Sequence, residues 1–147
     1  MAYTLSQAVQ TVSGAAGWRA AHPDELGVYH YLLQEGLDLD LQSPDGRTLI
    51  AGCDMGPAPE EDERWELIGR LAAGSTLRRA SVLAAEDGRL TLFRRLDLTR
   101  VSENELVGGV RDFLNDQVWW RTQLEGAPQS SAGGFSMAGW FPDQLGF

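Results

Sequence analysis

Leu5, Ala8, Val9, Val12 and Ala16 recur at steps of three and four, the spacing of one helical face, and predict a first helix from about Thr4 to Ala16. Gly14 and Gly17 weaken its end. Trp18 to Pro23 reads as a connection, because a residue before proline avoids helical geometry. From Val28 to Cys53 the period changes to two. It is clearest in Leu37, Asp38, Leu39, Asp40 and Leu41, where leucines face one side and carboxylates the other, as on a half-buried strand. Ser43, Pro44, Asp45 and Gly46 suit a type I turn ahead of a second run from Thr48 to Ala51, so residues 37 to 53 predict a hairpin. The run Val28 to Leu33 predicts a strand before it, with Gln34, Glu35 and Gly36 as the turn.

Pro57 and Pro59 break the alternation, and acids from Glu60 to Glu66 then sit where a helix N-terminus favours negative charge. Trp65, Ile68 and Ala72 form the apolar line of this second helix, widened by Leu67 and Leu71, and Gly74 is its expected stop. Arg79 to Ala85 and Leu90 to Leu98 are two further apolar runs, and the Asp87-Gly88 pair between them signals a second hairpin. Ser102 and Glu105 have the capping-box spacing, followed by Leu106, Val110, Phe113, Gln117, Trp120 and Leu124 at helical steps. Beyond Leu124 the chain turns to glycine, serine, alanine and proline, a composition that does not order itself alone. The expectation is one domain over 1–125 and a flexible tail over 126–147. The tail still carries Phe135, Met137, Trp140, Phe141, Leu145 and Phe147, so it either docks somewhere or serves as a short recognition segment.

Composition narrows the chemistry. With 147 residues, 43% of them apolar, the chain is long enough for one sizeable core. A net charge of −9, from 21 acids against 12 bases, repels nucleic-acid backbones and anionic membrane surfaces on average. All the bases are arginine, which removes lysine Schiff-base chemistry and the Walker-type phosphate lysine. A single cysteine, Cys53, excludes an internal disulfide and a multi-cysteine zinc site, and His22 and His30 make a poor metal set. No secretory leader pattern opens the chain and no apolar run approaches the roughly 18 residues of a membrane span, so a soluble cytoplasmic protein is expected, with no cofactor and no metal.

An enzyme would have to start from Cys53 as nucleophile with His22 or His30 as base, since there is no serine elbow and no glycine-rich phosphate loop. A lone strand cysteine reads more simply as a small buried hydrophobe, and His30 as a packing residue. Asp38 and Asp40 share a strand face and could hold two carboxylates for acid-base work, but strand alternation explains them. The acids from Glu60 to Glu66 lack the ligand spacing of a calcium loop. What stands out is aromatic content: five Trp, five Phe and three Tyr exceed what one small core needs, which points to an interface.

The element order helix, three strands, helix, two strands, helix resembles that of the class I type III secretion chaperones, the CesT-like or Tir chaperone family. Four stretches carry the likeness: Leu37 to Leu41; Thr48, Leu49 and Ile50 with Gly52 and a Pro-bearing loop; Arg79 to Leu98 around Asp87 and Gly88; and Ser102 to Leu124 with Trp119, Trp120 and Arg121 near its end. It covers roughly residues 26 to 124. Ala73, Gly74 and Ser75 depart from a leucine-rich stretch in many members, and the long aromatic tail is a second departure.

The resemblance implies an α+β fold, a twisted antiparallel sheet with flanking helices, and a homodimer that is not an enzyme. Its partner would be the N-terminal segment of a secreted effector, held extended and passed to the secretion apparatus in the bacterial cytoplasm. By the same analogy, Leu5, Val9 and Val12 with Tyr29, Tyr31 and Phe93 would line effector grooves. Trp65, Ile68, Leu71 and Val82 would form the dimer contact, with Trp65 as its anchor. The alternative from a different class is a small immunity or regulatory, antiactivator-type binding protein.

Overall fold

Thr4 opens the first helix with a reciprocal cap. Its hydroxyl accepts from the Gln7 amide and the Gln7 side chain accepts from the Thr4 N–H, so two orphan donors are satisfied before the helix begins. The structure, a computed structural model, describes residues 2–19, 21–75 and 78–125. Helix α1 runs Leu5–Ala16 and ends on Gly17, which takes the left-handed conformation that glycine adopts without penalty. Then follow β1 (Tyr29–Leu32), a 3-10 turn (Gln34–Gly36), β2 (Asp38–Gln42), β3 (Thr48–Pro57), α2 (Asp62–Ser75), β4 (Val82–Glu86), β5 (Arg89–Asp97) and α3 (Glu103–Glu125). The expected element order is the observed one, an α+β fold. The tail expected over 126–147 lies outside the described residues.

The strands form one antiparallel sheet in the order β1-β2-β3-β5-β4. Its buried positions all lie on one face: Leu39 and Leu41 of β2, Leu49, Ala51 and Cys53 of β3, Leu90 and Leu92 of β5. Ala8, Val9 and Val12 of α1 and Leu106, Val110, Phe113, Leu114 and Trp120 of α3 join them in one core. Each large side chain fully buried there contributes roughly 1.5–3 kcal/mol. From α2 only Ile68 is a buried apolar member, with Leu71 and Ala72 packed on the margin.

Local differences from the pattern have identifiable causes. β3 runs to Pro57 rather than stopping near Cys53, because β5 continues to pair with it past an irregularity between Asp54 and Gly56. β4 begins at Val82 and not at Arg79, since the Arg78 and Arg79 amides turn back to the Ser75 carbonyl, and Arg79 and Ser81 anchor the segment by their side chains to Asp116 of α3. The β4–β5 turn is as read: Asp87 and Gly88 both hold positive φ, 51° and 76°, between the paired Glu86 and Arg89. Ser102 and Glu105 cap α3 reciprocally.

Candidate functional site

The second face of the sheet is not covered by any described helix, and the strand registers lay a continuous row across it. His30 of β1 stands opposite Asp40 of β2, Asp40 opposite Gly52 of β3, Gly52 opposite Phe93 of β5, and Phe93 opposite Val82 of β4. Ile50 opposite Arg95 forms the next row on one side, and Thr91 beside Ala84 the next on the other. Because Gly52 has no side chain, the rows enclose a hollow of about 380 Å³ bordered by Ile50, Phe93 and Thr91, with Asp40 and Arg95 at its rim. A partly buried apolar floor with polar rims is the usual anatomy of a peptide-binding surface.

Electrostatics around the hollow follow from pairings within the chain. Asp54 binds Arg89 through Nε and Nη2 at 3.0 and 2.5 Å, and the guanidinium holds that carboxyl below its ordinary range. His30 lies 2.7 Å from Asp24 through Nε2 and 2.6 Å from Asp40 through Nδ1, and the protonated ring donates to both carboxylates. These two bonds, that to Asp24 first, push the imidazole above its ordinary value. The Arg95 guanidinium lies over the Phe93 ring, 5.7 Å from its centroid, and among the described residues no carboxylate pairs with it.

The residues singled out in the sequence divide into two environments. Val9 and Val12 point into the core and are covered by the chain itself, and Leu5 packs partly against it. Tyr29 and Tyr31 sit opposite Leu41 and Leu39, on the helix side, with Tyr31 5.1 Å from the Trp18 ring. Of the six groove residues only Phe93 faces the open side. On α2, Ile68 is buried and Leu71 half-buried, whereas Trp65 and Leu67, on different faces of the helix, are exposed. Val82, on the edge strand β4, is 51% exposed. Two apolar side chains went unremarked in the sequence: Leu26 and Leu32, 88% and 80% exposed beside the β1 edge. Gly52 and Arg95 also escaped notice as site residues, although a glycine isolated within a strand is a signal for close approach by another group.

Cys53 is buried on the helix side, and burial pushes its thiol up to about 12, which leaves no nucleophilic thiolate near neutral pH. Among the described residues no cluster of His, Cys, Asp or Glu has the makings of a metal site, and no helix is long and apolar enough to cross a membrane.

No known protein family and no curated protein matches the chain by sequence. Its backbone, however, is similar to those of solved type III secretion proteins. A chain of the ExsC–ExsE complex matches with a TM-score of 0.63 at 18% identity, over 89% of this chain and 100% of that one. A chain of the HopA1–SchA chaperone–effector complex gives 0.60 at 16%, over 77% and 89%. The Yersinia pestis type III secretion chaperone SycH, in complex with a stable fragment of YscM2, gives 0.59 at 17%, over 79% and 98%. The likeness is one of fold: three helices and a five-stranded antiparallel sheet in the same arrangement.

Proposed function

We propose that this chain is a class I, CesT-like type III secretion chaperone of the bacterial cytoplasm. It binds the N-terminal segment of a secreted effector and keeps that segment extended, soluble and ready for delivery to the secretion apparatus. It works by binding and not by catalysis. The observation that carries the reading is the fold likeness to chaperones solved with protein partners, in a chain whose own sheet has one uncovered face.

The physical logic is consistent. An extended segment adds backbone hydrogen bonds along a sheet edge while its apolar side chains enter hollows on the face. Ordering such a segment costs entropy, so the surface must be long, and two copies of the chain double it. For the homodimer contact we assign Trp65 of α2 with Val82 of β4, exposed apolar side chains that a second copy would cover, with Leu71 at the margin and the buried Ile68 behind them.

Capture of the tagged protein from its native cytoplasm, light proteolysis and mass spectrometry test the reading. It holds if the protected partner is a stretch of roughly 50 to 100 residues near the N-terminus of one larger protein, bound by two copies of this chain. A compact folded partner domain would move the assignment to an immunity or regulatory protein.

A further inference from the structure

We propose that the hollow over Gly52 is an anchor subsite for a client segment in which an aliphatic side chain stands beside a carboxylate. The aliphatic group enters between Ile50 and Phe93, and the carboxylate pairs with Arg95. The inference rests on the client-binding reading above and adds the chemistry that the client must present.

Shape gives the first half. Gly52 lies in the middle of the row Asp40, Gly52, Phe93, Val82, so the missing side chain leaves a depression flanked by an aromatic ring and by the aliphatic Ile50. Nothing in the fold demands glycine here. Its φ is not positive, and an added Cβ would meet only the Leu92 carbonyl oxygen at 3.5 Å and the Phe93 Cβ at 3.9 Å, ordinary contacts. A residue that weakens a central strand by its backbone freedom, without a steric reason, is explained by what its absent side chain admits.

Charge gives the second half. Asp54 is held by Arg89, and Asp40 shares the His30 ring with Asp24, so both acids at the rim already have partners within the chain. Gln42 and Thr91 are neutral. Arg95 is exposed and, among the described residues, holds only a ring contact. Arg94, the next residue, turns to the helix side toward Asp112 and does not share the rim's role. Among the described residues Arg95 is therefore the rim cation left for an incoming carboxylate, in a chain of net charge −9. Overall charge would predict a basic client; the guanidinium of Arg95 selects an acidic group at this point. Guanidinium over an aromatic ring is also pre-oriented for a carboxylate, so little freedom is lost on pairing.

The test is an amide NMR titration of the full chain with the peptide acetyl-Ser-Ser-Leu-Asp-Val-Ser-Ser-amide, against counterparts with lysine for aspartate or serine for leucine. Shifts should centre on Ile50, Gly52, Phe93 and Arg95, with either counterpart about three- to tenfold weaker. Arg95→Gln should erase the preference for aspartate over lysine while leaving melting unchanged, and Gly52→Val should block the leucine by filling the hollow. Should Gly52→Val fold poorly, Gly52→Ala and the exposed Arg95→Gln carry the same comparison. Equal binding of the aspartate and lysine peptides, no binding of any, or shifts centred elsewhere would each overturn the proposal. So would movement of the Gly52 and Phe93 signals on Phe141→Ser without added peptide, since that assigns the hollow to the chain's own C-terminal segment. Capture of a client that leaves Arg95→Gln and Gly52→Val as slowly as wild type would sink the subsite and leave the chaperone reading standing. Failure to capture any client would do the reverse if the peptides behave as expected.

Discussion

The side-chain amide of Gln117 on α3 takes the place of a neighbouring strand for Asp38 on β2. Its Oε1 accepts from the Asp38 N–H at 3.1 Å and its Nε2 donates to the Asp38 carbonyl at 2.8 Å. β3 pairs with β2 from Gln42 to Asp40 and no further, and Gln117, fully buried, fills the gap. Arg121, one turn on, donates to Gln117 Oε1 at 3.1 Å and reaches the Asp54 carbonyl of β3 at 3.4 Å. The two residues suture the split between the strands. Gln117→Leu should therefore cost about 2–4 kcal/mol by stranding a buried N–H and C=O. Urea unfolding with an unchanged m-value reads this directly, and a loss below about 1 kcal/mol would mean that water satisfies the exposed groups.

A second buried polar contact fixes the start of β4. Asp116, 4% exposed, accepts from Arg79 Nη1 at 2.9 Å and from the Ser81 hydroxyl, while the Arg79 guanidinium lies 4.6 Å from the Trp119 ring centroid. Removing one partner strands the other charge, so Asp116→Ala should cost about 3–5 kcal/mol. The double variant with Arg79→Met should recover part of that loss in a thermodynamic cycle. Additive losses would show that the two side chains do not act together.

These contacts also mark where sequence reading stops. Periodicity carried the helices and strands because burial follows it: Leu39 and Leu41 alternate inward, and Val110 and Phe113 line one helix face. The Asp87-Gly88 turn and the Ser102–Glu105 cap were legible because their chemistry is local. Gln117, by contrast, read as a helical-face residue, and its contact to Asp38 spans 79 positions. The groove assignments for Val9 and Val12 came from analogy with the family, and apolar character alone does not say whether a client or the chain's own sheet covers them. The open face escaped because its key member, Gly52, has no side chain to attract attention, and because Arg95 becomes distinctive only once Asp40 and Asp54 are seen to be paired elsewhere.

Adjacent glycines in α3 give a contrast that separates propensity from packing. A Cβ on Gly108 would meet only Arg111 Nη2 at 3.6 Å, whereas one on Gly109 would lie 2.8 Å from Leu96 Cδ2. Gly108→Ala should stabilise the protein by about 0.5–1 kcal/mol through reduced backbone freedom in the helix. Gly109→Ala has the same propensity gain but must displace Leu96, and should fall at least 1 kcal/mol short of its neighbour. Paired melting or urea curves decide, and equal gains would show that Leu96 moves aside freely.

The bonds from His30 to Asp24 and Asp40 make the loop before β1 sensitive to pH. Asp24 also accepts through Oδ1 from the Leu26 and Val28 amides, so one carboxylate ties the loop's backbone to the sheet-face histidine and holds Leu26 out in solvent. The His30 value is raised above 6.5, first by the bond to Asp24 and then by that to Asp40. What the latch contributes is therefore fully present below pH 6.5 and is lost as pH rises through the raised value. Asp24 is shifted the other way, its value lowered from 3.8 chiefly by the same bond, so its share is present above 3.8 and lost only as pH falls through the lowered value. The loop should accordingly be tightest between about pH 4 and 6.5 and should loosen on the alkaline side. Hydrogen exchange at the Leu26 and Val28 amides, corrected for intrinsic rates, should lose protection as pH rises toward 8.5. His30→Gln should flatten that dependence, and added salt should weaken it because the groups are half exposed. Protection in the wild type that stays constant from pH 5.5 to 8.5 would show that the loop is held by its backbone turns alone.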